Sequence, residues 1–345
     1  MIAEGKAWIM LPKAEKVSRK MPVFYNPEMR LNRDMTVLLL KSAGKNSMQI
    51  ADPLAGTGVR SIRLLKELGK EKIRKVFIND SSKKAVQLIK RNIKINNADT
   101  KKIVLSNEDA NMFLLKNRGF DYIDIDPFGY PGIFLSAAAQ RLSRKGILAV
   151  TATDKAALAG NKTEACMRKY WAKPLRNEYM HETGLRILIR FVQLIGAQHE
   201  KALTPIFSYS EKHYARAFFM CEKGRKKTDA VIKKHGFIEN GCGPAWLGSL
   251  WDKKLVKKML EKADKNSAGL LKTISEEAKI STTRFYDLHW TGKKNRMRIP
   301  SNSATISALK KAGFKAAKTH FSATGIRSNA PQKEFIKAAR KAKNL

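Results

Sequence analysis

From Met48 to Thr153, short apolar runs alternate with segments whose apolar residues recur every three or four positions, and this alternation restricts the possible fold most. Met48–Asp52, Lys75–Asn79, Ile103–Leu105, Phe120–Ile125 and Ile147–Thr153 read as strands, too apolar to leave a face in water. Between them, Val59–Leu68 has Ile62, Leu64, Leu65 and Leu68 at helical spacing. A second helix runs to Ile95 with Ala85, Leu88, Ile89 and Ile93 inward, capped by Ser81 or Ser82. Met112–Lys116 and Ile133–Leu142 complete the set. Strands alternating with helices predict an α/β fold with a parallel, doubly wound sheet. In such sheets ligands bind beyond the carboxyl ends of the strands, so those ends hold the candidate site.

The first strand runs into Asp52-Pro53-Leu54-Ala55-Gly56-Thr57-Gly58-Val59-Arg60. Gly56 and Gly58 permit backbone angles closed to other residues and let a ligand approach the main chain. The dinucleotide fingerprint G-x-G-x-x-G is broken, because Val59, Arg60 and Ser61 follow Gly58. An acid, three residues and Gly-x-Gly suit S-adenosylmethionine instead, which has no pyrophosphate to bind. Asp80, ending the second strand, is placed to accept ribose hydroxyls. Asp109, ending the third, is placed to accept from the adenine amino group, with Ala110 beside it. Each acid alone reads equally well as a helix N-cap. Acids at three successive strand ends beside a glycine loop point to the cofactor. At the fourth end stands Asp126-Pro127-Phe128-Gly129, which alone would be an Asp-Pro turn. In this setting it suits methylation of an amino group on a planar base. The carboxylate accepts the N–H bonds and the ring stacks on the base.

A net charge of +38 over 345 residues points to a polyanionic partner, nucleic acid. The 95 residues after Leu250 hold 23 Lys and Arg against 7 Asp and Glu, which makes the C-terminal third the expected docking surface. Cys166, Cys221 and Cys242 are scattered without C-x-x-C, which fits a reducing compartment. Cys221, His235 and Cys242 lack the spacing of a zinc ribbon. Ile9-Met10-Leu11 is too short for a signal peptide core, and no segment approaches the ~20 apolar residues of a membrane span. A cytoplasmic monomer with no membrane partner is expected.

Residues 1–35 form a basic lead-in with Pro12, Pro22 and Pro27. Phe24-Tyr25-Asn26-Pro27 reads as a fixed loop, followed by a helix from about Asp34 to Ser42 capped by Asn32. Past Thr153, a helix at Glu182–Leu194 leads to a hairpin of Ala202–Tyr209 and Tyr214–Cys221. The charged seam Glu222–Lys234 is the expected domain boundary. Beyond it, helices are expected at Asp252–Asp264, Ala268–Lys279, Thr283–Lys294 and Ser303–Gly313. Thr283–Phe314 followed by Lys318–Phe321 has the order of a small winged-helix unit.

Taken together, these blocks resemble the archaeal tRNA (guanine-26-N2)-dimethyltransferase family over nearly the whole chain. The resemblance is carried by Val23–Pro27, Leu31–Asp34, the glycine loop, Ile78–Asp80, Asn107–Ala110 and Ile123–Gly129. Thr151–Asp154, Pro174–Tyr179, Gly243–Gly248, Phe285–His289 and Thr319–Phe321 extend it. It implies a Rossmann-like methyltransferase domain at 1–222 and a second, mainly helical, basic tRNA-binding domain at 223–345. The implied cofactor is S-adenosyl-L-methionine and the implied product N2-methyl- and N2,N2-dimethylguanosine in tRNA. Arg33 and Arg60 resemble arginines on the methionine portion, with Asp52, Gly56 and Gly58 in the loop. Asp80 resembles the ribose ligand, and Asp109 with Ala110 the adenine site. Asp126 resembles the catalytic carboxylate and Phe128 the stacking ring, with Phe24, Tyr25 and Pro127 at the base. Many relatives carry a four-cysteine zinc ribbon; here only Cys221 and Cys242 remain in that interval, so no zinc is expected. The alternatives are another amino-directed methyltransferase, acting on adenine N6 or a protein amide, and a non-catalytic RNA-binding protein.

Overall fold

The computed structural model describes residues 1–11, 21–238 and 241–342, so Pro12 of the lead-in lies outside the described residues. A short hairpin, β1 (Ile2–Glu4) and β2 (Ala7–Ile9), opens the chain. Helix α1 (Arg30–Ser42) follows. The alternating part then runs β3 (Met48–Asp52), α2 (Val59–Glu67), β4 (Ile73–Asn79), α3 (Lys83–Ile95), β5 (Ile103–Ser106), α4 (Ala110–Lys116), β6 (Phe120–Ile125), α5 (Gly132–Arg141) and β7 (Leu142–Ala152). Next come α6 (Lys155–Leu158), α7 (Thr163–Tyr170), α8 (Met180–Ala197), β8 (Lys201–Ser210), β9 (Ala215–Lys223) and α9 (Arg225–Ile232). The remainder contains β10 (His235–Gly236), β11 (Ala245–Trp246), α10 (Lys253–Leu260), α11 (Lys265–Glu277), β12 (Tyr286–Asp287), α12 (Leu288–Lys294), α13 (Asn302–Lys311), β13 (Ala316–Lys318), β14 (Gly325–Ser328) and α14 (Gln332–Lys341).

The main sheet has seven strands in the order β5-β4-β3-β6-β7-β9-β8. The pairs β3–β4, β3–β6, β4–β5 and β6–β7 are parallel, so the order reverses between β3 and β6. That is the doubly wound arrangement expected from the alternation. β3 is buried at all five positions and β6 at all but Asp121. Every apolar position expected inward on α3 is buried.

Two expected elements differ. Helix α1 begins at Arg30, and Asn32 lies inside it, its amide donating to Thr151 Oγ1 at 3.2 Å instead of capping. Thr283–Asp287 is not helical: Tyr286 and Asp287 pair with Ile326 and Gly325, and Asp287 then caps α12. With α13, β13 and β14 this yields helix, basic loop, helix and wing, around a core of Leu288, Leu309, Ile326, Phe335 and Ala339.

The chain forms two compact units, Met1–Thr153 with Val192–Thr204 and Arg216–Lys233, and Asp154–Phe191 with Pro205–Ala215 and Lys234–Leu345. The seam Glu222–Lys234 therefore holds only the last of five crossings, and much of it is helix α9.

Candidate active site

Everything singled out at the strand ends lies in the first unit. After β3 the chain turns through Gly56 (φ +56°) and Gly58 (φ +75°), both in the left-handed region. A Cβ on Gly56 would stand 2.9 Å from the Phe24 carbonyl oxygen, so a side chain there meets fixed backbone. Asp80 ties this loop to the next strand end: one carboxylate oxygen accepts from Gly56 N at 2.8 Å, the other from Ser82 N at 2.9 Å. Burial raises its pKa against those two bonds. Asn79, fully buried, donates to the carbonyls of Pro53 (3.1 Å) and Glu108 (3.0 Å) and accepts from Glu108 N at 3.0 Å. One amide thus holds three successive strand-end loops in register.

Asp52 is buried and accepts from Ser61 Oγ at 2.7 Å. Burial pushes its pKa up to about 7, Arg60 opposing and the Asp124 charge adding to the rise. Asp109 caps α4, accepting from the backbone N–H groups of Asn111 and Met112, and Ala110 is buried beneath it. The cap leaves room for a ligand, since a carboxylate has acceptor sites to spare. Thr57 Oγ1 is buried in the glycine loop without a hydrogen-bond partner among the described residues. An orphaned hydroxyl, a Cβ-free cradle and strand-end carboxylates fit a polar nucleoside cofactor.

At the end of β6 the chemistry converges. Arg60 reaches from α2 and pairs with Asp126 through one N–H group and with Asp124 at 3.2 Å, and it donates to Thr36 Oγ1 at 2.9 Å. Asp124 is in turn held by Arg216 of β9, at 3.1 and 2.7 Å, and by the Tyr122 hydroxyl. Arg216 is completely buried and also donates to Thr36 at 2.8 Å and to Thr151. Burial favours a neutral Asp124, but Arg216 and Arg60 outweigh it and hold the carboxyl below its usual range. The result is an alternating row, Arg216–Asp124–Arg60–Asp126, whose last member is partly exposed. Beyond it, Gly129 and Thr153 exchange hydrogen bonds, fixing the Pro127–Phe128 turn. Phe128 is 42 % exposed and meets Phe24 edge to face, ring centroids 4.0 Å apart. These two rings are the aromatic surface next to Asp126.

Two expected site residues have other work in the structure. Tyr25 is buried, its hydroxyl on Glu4 at 2.8 Å, and burial with that bond pushes its pKa up to about 12. Arg33 grips the same Glu4 with two bonds of 2.6 Å and lies 5.1 Å over the Tyr25 ring. Burial would raise the Glu4 carboxyl, but Arg33, Tyr25 and Arg63 hold it at about 2. Tyr25 and Arg33 therefore form a buried brace behind the Phe24 loop. Arg216 was not singled out from the sequence, although one arginine within the apolar run Ala215–Cys221 was a visible signal. Among the described residues no group of three His, Cys, Asp or Glu lies close enough to hold a metal, and no helix is long and apolar enough to cross a membrane.

The chain matches the family model of N2,N2-dimethylguanosine tRNA methyltransferases over residues 5–243 and 239–340. It is 38% identical over 378 residues to the tRNA (guanine(26)-N(2)/guanine(27)-N(2))-dimethyltransferase of Aquifex aeolicus, spanning 98% of this chain and 95% of that one. It is 38% identical over 380 residues to the tRNA (guanine(26)-N(2))-dimethyltransferase of Pyrococcus horikoshii, spanning 99% and 98%. The solved complex of Trm1 from Pyrococcus horikoshii with S-adenosyl-L-methionine superposes with a TM-score of 0.91 at 37% identity, covering 98% of this chain and 99% of that one.

Proposed function

The chain belongs to the N2,N2-dimethylguanosine tRNA methyltransferase family, and from that membership we propose that it methylates the exocyclic N2 of guanine 26 in tRNA, giving N2-methyl- and N2,N2-dimethylguanosine. The observation that carries the reading is Asp126, held by Arg60 at the end of β6 beside Phe128 and Phe24.

S-adenosyl-L-methionine, when bound, supplies an electrophilic methyl group and a good leaving group. Gly56, Gly58, Asp80, Asp109 and Ala110 would hold its adenosine, with Asp52 beneath the loop and Arg60 toward the methionine end. Guanine N2 is a poor nucleophile, because its lone pair is delocalised into the ring. The protein therefore contributes position more than base strength, a source of several kcal/mol. Asp126 accepts an N2–H bond, localises the lone pair and stabilises the positive charge that develops on nitrogen. It then takes the departing proton. Arg60 fixes the carboxylate without filling its acceptor sites. In a folded tRNA the base must leave its stack, which costs a few kcal/mol. Stacking on Phe128, with Phe24 behind it, returns about 1–3 kcal/mol of that. Two methyl transfers complete the product, with cofactor exchanged between them.

Residues 1–222 carry the catalysis in this reading and residues 223–345 dock the tRNA, as their excess of Lys and Arg supports. In this reading the enzyme is a monomer and works in the cytoplasm, whose reducing conditions suit its three free thiols. The test is nucleoside analysis of tRNA incubated with the protein and methyl-labelled cofactor. Label belongs on guanine N2 at position 26. Asp126→Ala abolishes transfer while cofactor affinity stays within a few-fold. Label on another base, or near wild-type turnover by the variant, would refute the assignment.

A further inference from the structure

Leu288–Lys333, within the second unit, contains ten Lys and Arg and not one Asp or Glu. Arg327 is buried against Glu182 and Glu277, and the other nine, with no carboxylate in the stretch to offset them, present a positive field. All of its cations but Arg327 are exposed, and among the described residues Lys293, Lys294, Arg296, Arg298 and Lys311 have no ion-pair partner. Trp290, in the first turn of the same helix α12 that ends in Lys293 and Lys294, is 53% exposed. The local core of Leu288, Leu309, Ile326 and Phe335 closes without it, so packing does not account for a tryptophan there.

The inner side of α12 sits hard against the loop that follows. A Cβ on Gly292 would lie 2.7 Å from Ile299 Cγ1, and Met297 N donates to the Gly292 carbonyl at 3.0 Å. Ile299 is also part of the wall of an open cleft of about 650 Å³, together with Arg298, Ser301, Ser303, Ser307 and Lys311. Two cations and three hydroxyls, with no carboxylate among the described residues that line the cleft, suit phosphodiester oxygens, and an exposed indole on α12 suits a base face.

We propose that this face binds an unpaired nucleotide of the tRNA, its base stacked on Trp290 and its flanking phosphates held by Arg298 and Lys311 in the cleft. The proposal rests on tRNA being the substrate and assigns where, outside the active site, the second unit grips it. Stacking and phosphate contacts differ in salt dependence. A stacked base adds nothing to the counterion term, whereas each phosphate contact adds about −0.7 to −0.9 to the slope of log K against log salt.

The experiment measures tRNA binding by the full chain across a salt series, with KM for tRNA and cofactor affinity alongside. Trp290→Ala weakens binding about 5- to 150-fold at every salt concentration, the range that removal of one stacked base produces. Trp290→Phe restores most of the affinity. Arg298→Gln with Lys311→Gln flattens the slope by roughly 1.4–1.8. KM for tRNA rises with the loss of affinity, while cofactor affinity is unchanged. Wild-type binding by Trp290→Ala, or a double variant with an unaltered slope, would overturn the proposal and leave the functional reading intact. A wild-type chain that binds tRNA with this pattern but never methylates it would support the surface and remove the function.

Discussion

Replacing Arg216 by Met tests whether the buried row of charges governs Asp126, the carboxylate proposed to be catalytic. Arg216 is fully buried and gives Asp124 two hydrogen bonds, at 3.1 and 2.7 Å. Methionine has comparable bulk, so little cavity forms and the change is mainly electrostatic. Breaking a buried ion pair from one side costs about 3–5 kcal/mol, because the other charge is left without compensation. Asp124 keeps Arg60 at 3.2 Å and the Tyr122 hydroxyl, so the lower end, about 3 kcal/mol, is expected. Arg60 is then drawn toward Asp124 and away from Asp126. A displacement near 1 Å at the reacting centre costs about 100-fold in rate, so kcat falls by that order. Adding Asp124→Asn removes the stranded charge, and the double variant regains stability to within about 1–2 kcal/mol of wild type. Urea unfolding of the four proteins gives the cycle, and single-turnover methyl transfer gives the rates. If Arg216→Met loses under about 1 kcal/mol, or if the two substitutions simply add, the row does not act as a unit.

Three further outcomes are expected. Asp80→Ala weakens cofactor binding by about 1.5–3 kcal/mol in calorimetry, since it removes a charged acceptor and frees Gly56 N; unchanged affinity would leave Asp80 as a turn residue only. Glu277 is fully buried against His320 and Arg327; burial raises its carboxyl, but those partners hold it at about 2 against an ordinary 4.5. Its contribution, on the order of 3 kcal/mol, is therefore complete above pH 4.5 and is lost as pH falls toward 2; Glu277→Gln flattens that acid limb in pH-dependent unfolding, and an unaltered limb would refute the linkage. Metal analysis finds less than one zinc per chain, because Cys221 and Cys242 lack the two further ligands a ribbon needs; stoichiometric zinc surviving dialysis would contradict this.

Much of the fold and of the site's outline could be read along the chain. Period-3.6 and buried-strand patterns are local, so β3 to β7 and their helices emerged within a few residues of their limits. Gly56 and Gly58 announced a left-handed turn, and Asp80, Asp109 and Asp126 followed strands whose ends had to be neighbours. The misreadings have one origin. Asn32 read as a cap because its partner, Thr151, is 119 residues away. Thr283–Asp287 read as helix because β14, which pairs with it, lies some forty residues later. Tyr25 and Arg33 read as ligand contacts, and the bonds that both make to Glu4, more than twenty residues earlier, are not visible along the chain.

From the sequence alone came the sheet class, the candidate site at the strand ends, the cofactor type and a polyanionic partner, each from residues near one another or from summed charge. Only the tertiary structure decided that Arg216, 92 residues beyond Asp124 in the chain, sits on it and so steadies Arg60 beside Asp126. Patterning along a chain reports which face of an element must leave water. Which buried charge meets which depends on strand order and register across the finished sheet, and those follow from packing of the whole unit.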